Sequence, residues 1–282
     1  MRAGVIGLGE IGGGIARSLA RSGVETYVAD LAQEAIDACT EVGAKAVSSP
    51  RELGANCDII GVVVRDDDQT RSVMLGDSGI LAGATPGTIV LLHSTIFPDT
   101  VSEMAEAALP FEVEVIDAAL TGSAAKAETG ELTFMAGGTA EQIERVRPYL
   151  EPAAKLIVHT GELTTGTATK LCVNLMGYIQ FLSGYEANLL ATNAGVDLDR
   201  FDDVTRSNGA LTPNVEAYLA LARGDTSAEG TQQYLSGITD LAEKDLSLAL
   251  AYAKRLGITL PGGGLTQQLM ARVYGLNDPK KR

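Results

Sequence analysis

Basic residues are scarce in this chain: 22 Lys and Arg stand against 36 Asp and Glu, for a formal charge of −14. A surface of that sign repels nucleic acid and anionic membranes, so neither is expected as a partner. Cysteine is sparse too. Cys39, Cys57 and Cys172 are odd in number and widely spaced, which implies neither a disulfide framework nor a metal cluster. A reducing, cytoplasmic setting is therefore expected. No uninterrupted apolar run of about 18 residues occurs, so no membrane span is expected. Nor does the N-terminus offer the apolar core of a signal peptide, since it opens on a strand followed at once by glycines. The basic tip Lys280-Lys281-Arg282 is short and expected to be solvated. The 282 residues suffice for one large domain or two of ordinary size.

The stretch from Arg2 to Asp30 carries the most information. Ala3, Val5 and Ile6 read as a buried strand, and Gly7-Leu8-Gly9-Glu10-Ile11-Gly12 follows. Ile15, Ala16, Leu19 and Ala20 then recur at helical spacing. Gly23 closes that helix, and Glu25 to Ala29 reads as a second strand ending in Asp30. Each glycine has its own role, since Gly7 allows a tight turn, Gly9 the approach of a pyrophosphate to bare backbone, and Gly12 the packing of helix on strand. Unpaired N–H groups at the helix start favour the phosphates. Asp30 follows at about 20 residues, where a carboxylate accepts the ribose hydroxyls of a dinucleotide. The same carboxylate repels a 2′-phosphate, and Leu31, Ala32 and Gln33 supply no arginine to neutralise it. NAD is therefore preferred over NADP. Asp30 can also cap a helix starting near Ala32, and the two roles are compatible.

The alternation continues. Residues 34–46 read as a short helix and turn, and Ser48-Ser49-Pro50-Arg51-Glu52 has the pattern of a helix cap. Residues 58–64 form an apolar strand that delivers Val64 and the cluster Arg65-Asp66-Asp67-Asp68 to a sheet edge where ligands bind in α/β folds. That cluster reads either as a ligand contact or as a solvated loop. Residues 88–92 bring His93, Ser94 and Thr95 to the same edge, and Pro98 opens a helix. Further strands are expected near 113–116, 132–136 and 154–159, with a helix over 140–149. The result is a doubly wound parallel sheet, a Rossmann-type α/β domain over residues 1–162. Residues 163–282 read as an all-α domain, and a nearly continuous helix over 164–193 joins the two parts. At 1.5 Å per residue that helix would span roughly 45 Å. So long and apolar a helix needs cover, which suggests a homodimer or homotetramer through the helical domain. Helices are also expected at about 199–208, 213–223, 229–251 and 261–275.

Lys170 is the anomaly of the long helix. With Asn174 and Tyr178 it forms a polar stripe at i, i+4 and i+8, expected to face the cleft between the domains. A lysine acting as a general base must lose roughly 4 kcal/mol of its preference for the charged form, which desolvation and a nearby cation can supply. Read from the residues alone, a base and a lysine snorkelling from a helix end stand level. His93 reads more readily as a core or loop histidine than as a substrate contact, and His159 as structural.

At this point the chain resembles the β-hydroxyacid dehydrogenase family, the 3-hydroxyisobutyrate dehydrogenase-like enzymes, over essentially its whole length. GLGEIGGGIARSLARSG resembles the family's cofactor signature, with Ile11 where methionine is usual. His93-Ser94-Thr95-Ile96 with Pro98 resembles its Ser-Thr-Ile segment. Asp117-Ala118-Ala119-Leu120-Thr121-Gly122-Ser123, with Gly130 and residues 132–135 following, resembles the substrate signature. Gly161, Gly166, Lys170 and Asn174 resemble the catalytic helix, and Lys244-Asp245-Leu246 the late Lys-Asp-Leu segment. The resemblance implies that Lys170 takes the proton of a substrate hydroxyl while a hydride leaves the same carbon for nicotinamide. It implies that Thr121, Gly122 and Ser123 hold a substrate carboxylate, that Asn174 fixes the substrate or the lysine, and that Lys244 approaches both substrate and cofactor. Gly7, Gly9, Glu10, Ile11, Gly12, Asp30, Val64, Ser94 and Thr95 complete the expected cofactor contacts. Ser94 and Thr95 can equally cap the following helix. Asp245 beside Lys244 can equally be an ordinary ion-pair partner, and is not counted in the site. The usual Ala-Pro-Val-Ser-Gly-Gly is here Ala-Ala-Leu-Thr-Gly-Ser, which alters backbone and side chains where the carboxylate would sit.

The expectation is thus an NAD-dependent dehydrogenase oxidising a small 3-hydroxy acid or β-hydroxy amino acid, or working in reverse on the semialdehyde. The alternatives are an imine reductase-like enzyme and a non-catalytic NAD-binding scaffold. Lys170 and Asp30 count against the first, and Lys170 against the second.

Overall fold

Buried apolar strands set the architecture of the N-terminal half. The computed structural model describes residues 1–224 and 229–276, so the basic run Lys280–Arg282 lies outside the described residues. The chain divides into two compact units, Met1–Lys170 and Leu171–Arg282.

The first unit alternates strands and helices: β1 (Arg2–Ile6), α1 (Glu10–Arg21), β2 (Glu25–Ala29), α2 (Gln33–Thr40), β3 (Lys45–Ala46), α3 (Pro50–Asn56), β4 (Ile59–Val62), α4 (Asp67–Met74), α5 (Ile80–Gly83) and β5 (Ile89–Leu92). Next come α6 (Pro98–Ala108), β6 (Glu114–Thr121), α7 (Ala124–Glu128), β7 (Leu132–Gly137), α8 (Ala140–Leu150) and β8 (Ala154–Gly161). Among the described residues these strands form one eight-stranded sheet in the order β3-β2-β1-β4-β5-β6-β7-β8. Every residue of β4 and β5 is buried, as a strand covered on both faces requires. Ile15, Leu19 and Tyr149 belong to one apolar layer, Leu53, Met74 and Met104 to the other. The chain reverses its winding between β1 and β4, and the ligand crevice of such a sheet opens beside that point.

The expectation of a purely parallel sheet is corrected in one place. β6 and β7 pair antiparallel, with Asp117 opposite Gly137 and Thr121 opposite Thr133. A parallel crossover needs about a dozen residues or more, and the segment 122–131 between these strands is too short for one.

The second unit is helical: α9 (Thr165–Asn193), which starts in the first unit, then α10 (Leu198–Ser207), α11 (Pro213–Arg223), α12 (Glu229–Arg255) and α13 (Pro261–Val273). Leu182, Tyr218, Leu246 and Met270 share its core, and the Tyr218 hydroxyl donates to the Val273 carbonyl at 2.9 Å. α12 runs one turn past its expected end, because the stop is Gly257, whose φ of +72° suits the position after a helix. No helix of the described residues is long and apolar enough to cross a membrane.

Candidate active site

The glycine loop between β1 and α1 has the shape its residues predict. Gly7 sits at φ +87°, and a Cβ there would lie 2.3 Å from the Val63 carbonyl oxygen. A Cβ on Gly12 would meet the Gly7 carbonyl oxygen at 1.9 Å, so helix and loop touch through bare backbone. Gly9, the N-cap of α1, has no atom within 4 Å of that position and faces open space. Directly beyond it lies a cleft of about 760 Å³, lined among others by Gly9, Glu10, Asp30, Ser48, Val64 and Arg65. Gly7, Ile11 and Gly12 line it too. The Asp30 carboxylate is held in place by the loop itself: Oδ2 accepts from the Leu8 N–H at 2.5 Å and Oδ1 from the Ala32 N–H at 2.8 Å. An open backbone pocket at a helix N-terminus, beside a fixed carboxylate, suits a dinucleotide diphosphate and its ribose.

Ser94 and Thr95 are not among the residues lining that cleft. The Ser94 hydroxyl accepts from the Val64 N–H at 3.0 Å and so pins the end of β4, while α6 starts after Phe97 without a side-chain cap. His93 is a core residue. Its ring stacks on Tyr149, and Nδ1–H donates to the Ala118 carbonyl at 2.7 Å, the tautomer that a carbonyl partner requires. Nε2 is buried without a hydrogen-bond partner. Burial pushes the imidazole down from its ordinary 6.5 to about 4, against a smaller opposing pull from the Ala118 carbonyl. The unfolded chain therefore takes up a proton below pH 6.5 that the folded chain refuses until about pH 4. Stability from this group is complete above pH 6.5 and falls by up to about 3 kcal/mol on the way to pH 4, at 1.36 kcal/mol per unit. Denaturant titrations across that window are expected to show a shallower pH slope in His93→Gln; an unchanged slope would remove His93 from the account.

Strand β6 does two jobs. At its far end Thr121 is half-buried and Gly122 and Ser123 are exposed, with the Ser123 hydroxyl accepting from the Lys126 N–H at 3.4 Å. Gly122 takes φ +150°, and a Cβ there would lie 2.5 Å from a Leu132 methyl. Four residues earlier, fully buried Asp117 holds the start of α9. Its Oδ1 accepts from the Thr164 N–H at 2.8 Å and its Oδ2 from the Thr167 N–H at 2.7 Å. Burial pushes its carboxyl above the usual carboxylate range, and the Thr167 and Thr164 N–H groups oppose that. Thr164 stands at φ +82°, a strained conformation for a β-branched residue, so the clamp holds the chain where it would not otherwise rest. Lys170, half-buried, follows Thr167 by three residues, one turn along the helix.

The polar stripe predicted on α9 is organised by a residue that sequence reasoning left out. Asp245 on α12 is buried, and its Oδ2 accepts from the Asn174 amide at 2.6 Å and the Tyr178 hydroxyl at 3.2 Å. Lys244 Nζ lies 2.9 Å from the other oxygen. Burial first, then the Asp245 charge, pushes the Tyr178 hydroxyl well above its ordinary range, so it stays a donor. Asn174 and Tyr178 therefore share one buried acceptor, which sets the orientation of the Asn174 amide. Only the adjacent Lys-Asp pair hinted at this.

Comparison with known proteins adds to this geometry. Residues 2–161 match the family model described as the NAD binding domain of 6-phosphogluconate dehydrogenase. Residues 164–280 match the NAD-binding model of NADP-dependent 3-hydroxyisobutyrate dehydrogenase. A probable mitochondrial 3-hydroxyisobutyrate dehydrogenase of Dictyostelium discoideum is 32% identical, over 99% of this chain and 87% of that protein. An NAD-dependent L-serine dehydrogenase of Pseudomonas aeruginosa is 31% identical, over 94% of this chain and 89% of its own. The 3-hydroxyisobutyrate dehydrogenase of Mycobacterium tuberculosis, solved with L-serine, superposes with a TM-score of 0.84 at 26% identity, covering 96% of this chain and 94% of that one.

Proposed function

The chain belongs to the β-hydroxyacid dehydrogenase family, among its 3-hydroxyisobutyrate dehydrogenase-like members, and from that premise we propose an NAD-dependent dehydrogenase of small 3-hydroxy acids or β-hydroxy amino acids. The observation that carries this reading is the α9 stripe: Lys170 shares a helix face with Asn174, whose amide is fixed by buried Asp245. A lysine with a rigid amide one turn away is the arrangement a positioned base needs. The names of relatives that act on 3-hydroxyisobutyrate and L-serine support the substrate class.

Gly7, Gly9, Glu10, Ile11, Gly12, Asp30 and Val64 would hold the dinucleotide, with Ser94 supporting Val64 from behind and Thr95 nearby in sequence. The Asp30 carboxylate favours a free ribose hydroxyl over a 2′-phosphate, which supports NAD as the preferred cofactor. When bound, nicotinamide supplies the hydride acceptor. Thr121, Gly122 and Ser123 offer hydroxyls and backbone N–H groups to the substrate carboxylate. Lys170 takes the proton from the substrate hydroxyl, Asn174 orients the reacting pair, and Lys244 adds positive charge for the anion. Met176 and Leu190 of α9 are exposed, which supports a homodimer or homotetramer built on the helical unit, and the free cysteines suit a reducing cytoplasm.

The test is NADH formation with L- and D-serine, 3-hydroxyisobutyrate, 3-hydroxypropionate, phenylserine and tartronate. Turnover of at least one is expected. NAD binding without any turnover would mean a silent scaffold, and turnover of cyclic imines alone would mean a reductase of a different class.

A further inference from the structure

We infer that Arg65 is a phosphate clamp of the dinucleotide cleft, its guanidinium binding a phosphate group of the cofactor. The inference rests on the dinucleotide reading of the cleft. Three carboxylates, those of Asp66, Asp67 and Asp68, come directly after Arg65 in the chain, yet each is committed elsewhere. Asp66 caps α4 by accepting from the Gln69 N–H at 2.9 Å. Asp67 accepts from the Phe97 N–H at 2.9 Å. Asp68 pairs with Arg71 at 3.2 Å. The Arg65 guanidinium has no carboxylate within 4 Å among the described residues, and its backbone N–H is occupied by the Gln69 amide oxygen at 3.0 Å. Other arginines of this acidic chain, such as Arg17, Arg71, Arg145 and Arg223, do sit on carboxylates.

Arg65 is exposed, and it lines the same cleft as Gly9, Asp30, Ser48 and Ser49. A planar guanidinium with no carboxylate within 4 Å among the described residues, in a cleft that otherwise presents serine hydroxyls, bare glycine backbone, apolar side chains and the carboxylates of Glu10 and Asp30, is matched to a phosphate, which it binds through two parallel N–H groups. Two phosphate sources exist: the diphosphate present in both NAD and NADP, and the 2′-phosphate of NADP. With the second source, Arg65 would counter the repulsion from Asp30 and loosen the discrimination against NADP.

The experiment titrates the full-length wild type, Arg65→Ala and Arg65→Lys with NAD, NADP and ADP-ribose by calorimetry, at low and high salt. Arg65→Ala is expected to weaken binding by roughly 5- to 50-fold, the scale of a hydrogen-bonded charge at a partly solvated site, and to flatten the salt dependence. Arg65→Lys should recover part of the loss, since it restores the charge without the fork. Equal losses for all three ligands assign the diphosphate, and a loss confined to NADP assigns the 2′-phosphate; both uphold the inference. Unchanged affinities in Arg65→Ala, or a loss with unaltered salt dependence, overturn it. A wild type that binds none of the three would instead refute the dinucleotide reading itself.

Discussion

Lys170→Ala is expected to lower kcat by roughly 10²–10⁴-fold, the scale of a lost acid–base group, while the dissociation constant for NAD stays near the wild-type value. The two readouts separate because the residues offered to the dinucleotide lie on the glycine loop, Asp30 and Val64, and Lys170 does not line that cleft. Lys170→Arg sharpens the test. Arginine keeps the positive charge but does not deprotonate in proteins, so a residue needed only for its charge would be rescued and a base would not. Lys170→Arg is expected to remain nearly as slow as Lys170→Ala. A kcat within about threefold of wild type in either variant would mean that the proton goes elsewhere.

The second large effect is on stability. Asp117→Ala strips the acceptor from two N–H groups, those of Thr164 and fully buried Thr167. An unsatisfied buried N–H costs about 1–3 kcal/mol, so the variant should lose about 2–6 kcal/mol, a large part of the 5–15 kcal/mol typical of a domain. At about 2–4 °C per kcal/mol for a unit of this size, that corresponds to a fall of roughly 4–24 °C in Tm. The first turn of α9 lies hard against the sheet, which leaves little room for water to replace the carboxylate: a Cβ on Gly166 would meet the Met135 carbonyl oxygen at 2.3 Å. Asp117→Asn, which keeps one acceptor oxygen, should fall between wild type and Asp117→Ala. Loosening this turn also loosens Lys170, so kcat should drop in a variant that is still folded at the assay temperature. A Tm within about 2 °C of wild type would show that the clamp adds little.

Features that depend on local spacing were legible. The glycine loop, the helix expected over 164–193 and found at Thr165–Asn193, and the helix starting at Pro213 all follow from periodicity and caps within a few turns of chain. The Lys170, Asn174 and Tyr178 stripe is of the same kind. Features that depend on pairs distant in sequence were not. Asn174 and Asp245 are 71 residues apart, and Asp117 lies 47 from Thr164. Nothing in the pattern around Asp245 distinguishes a buried hub from a surface ion pair, because the difference lies in what covers it. For Arg65 the sequence leaves two readings, a ligand contact and a solvated loop. Spacing does not say what the three neighbouring acids pair with, and the fold engages each with a backbone N–H or with Arg71. The antiparallel β6–β7 pair could have been anticipated from the short segment between the two strands, since length alone forbids a parallel crossover there.

One distance tests the central claim most directly: that from Lys170 Nζ to the substrate hydroxyl oxygen in a crystal structure of the ternary complex with NAD and a hydroxy acid that is turned over. The account predicts hydrogen-bond reach, about 2.6–3.2 Å or a single bridging water. An amine turned into bulk solvent, or a different titratable group at that oxygen in every closed molecule, would contradict it.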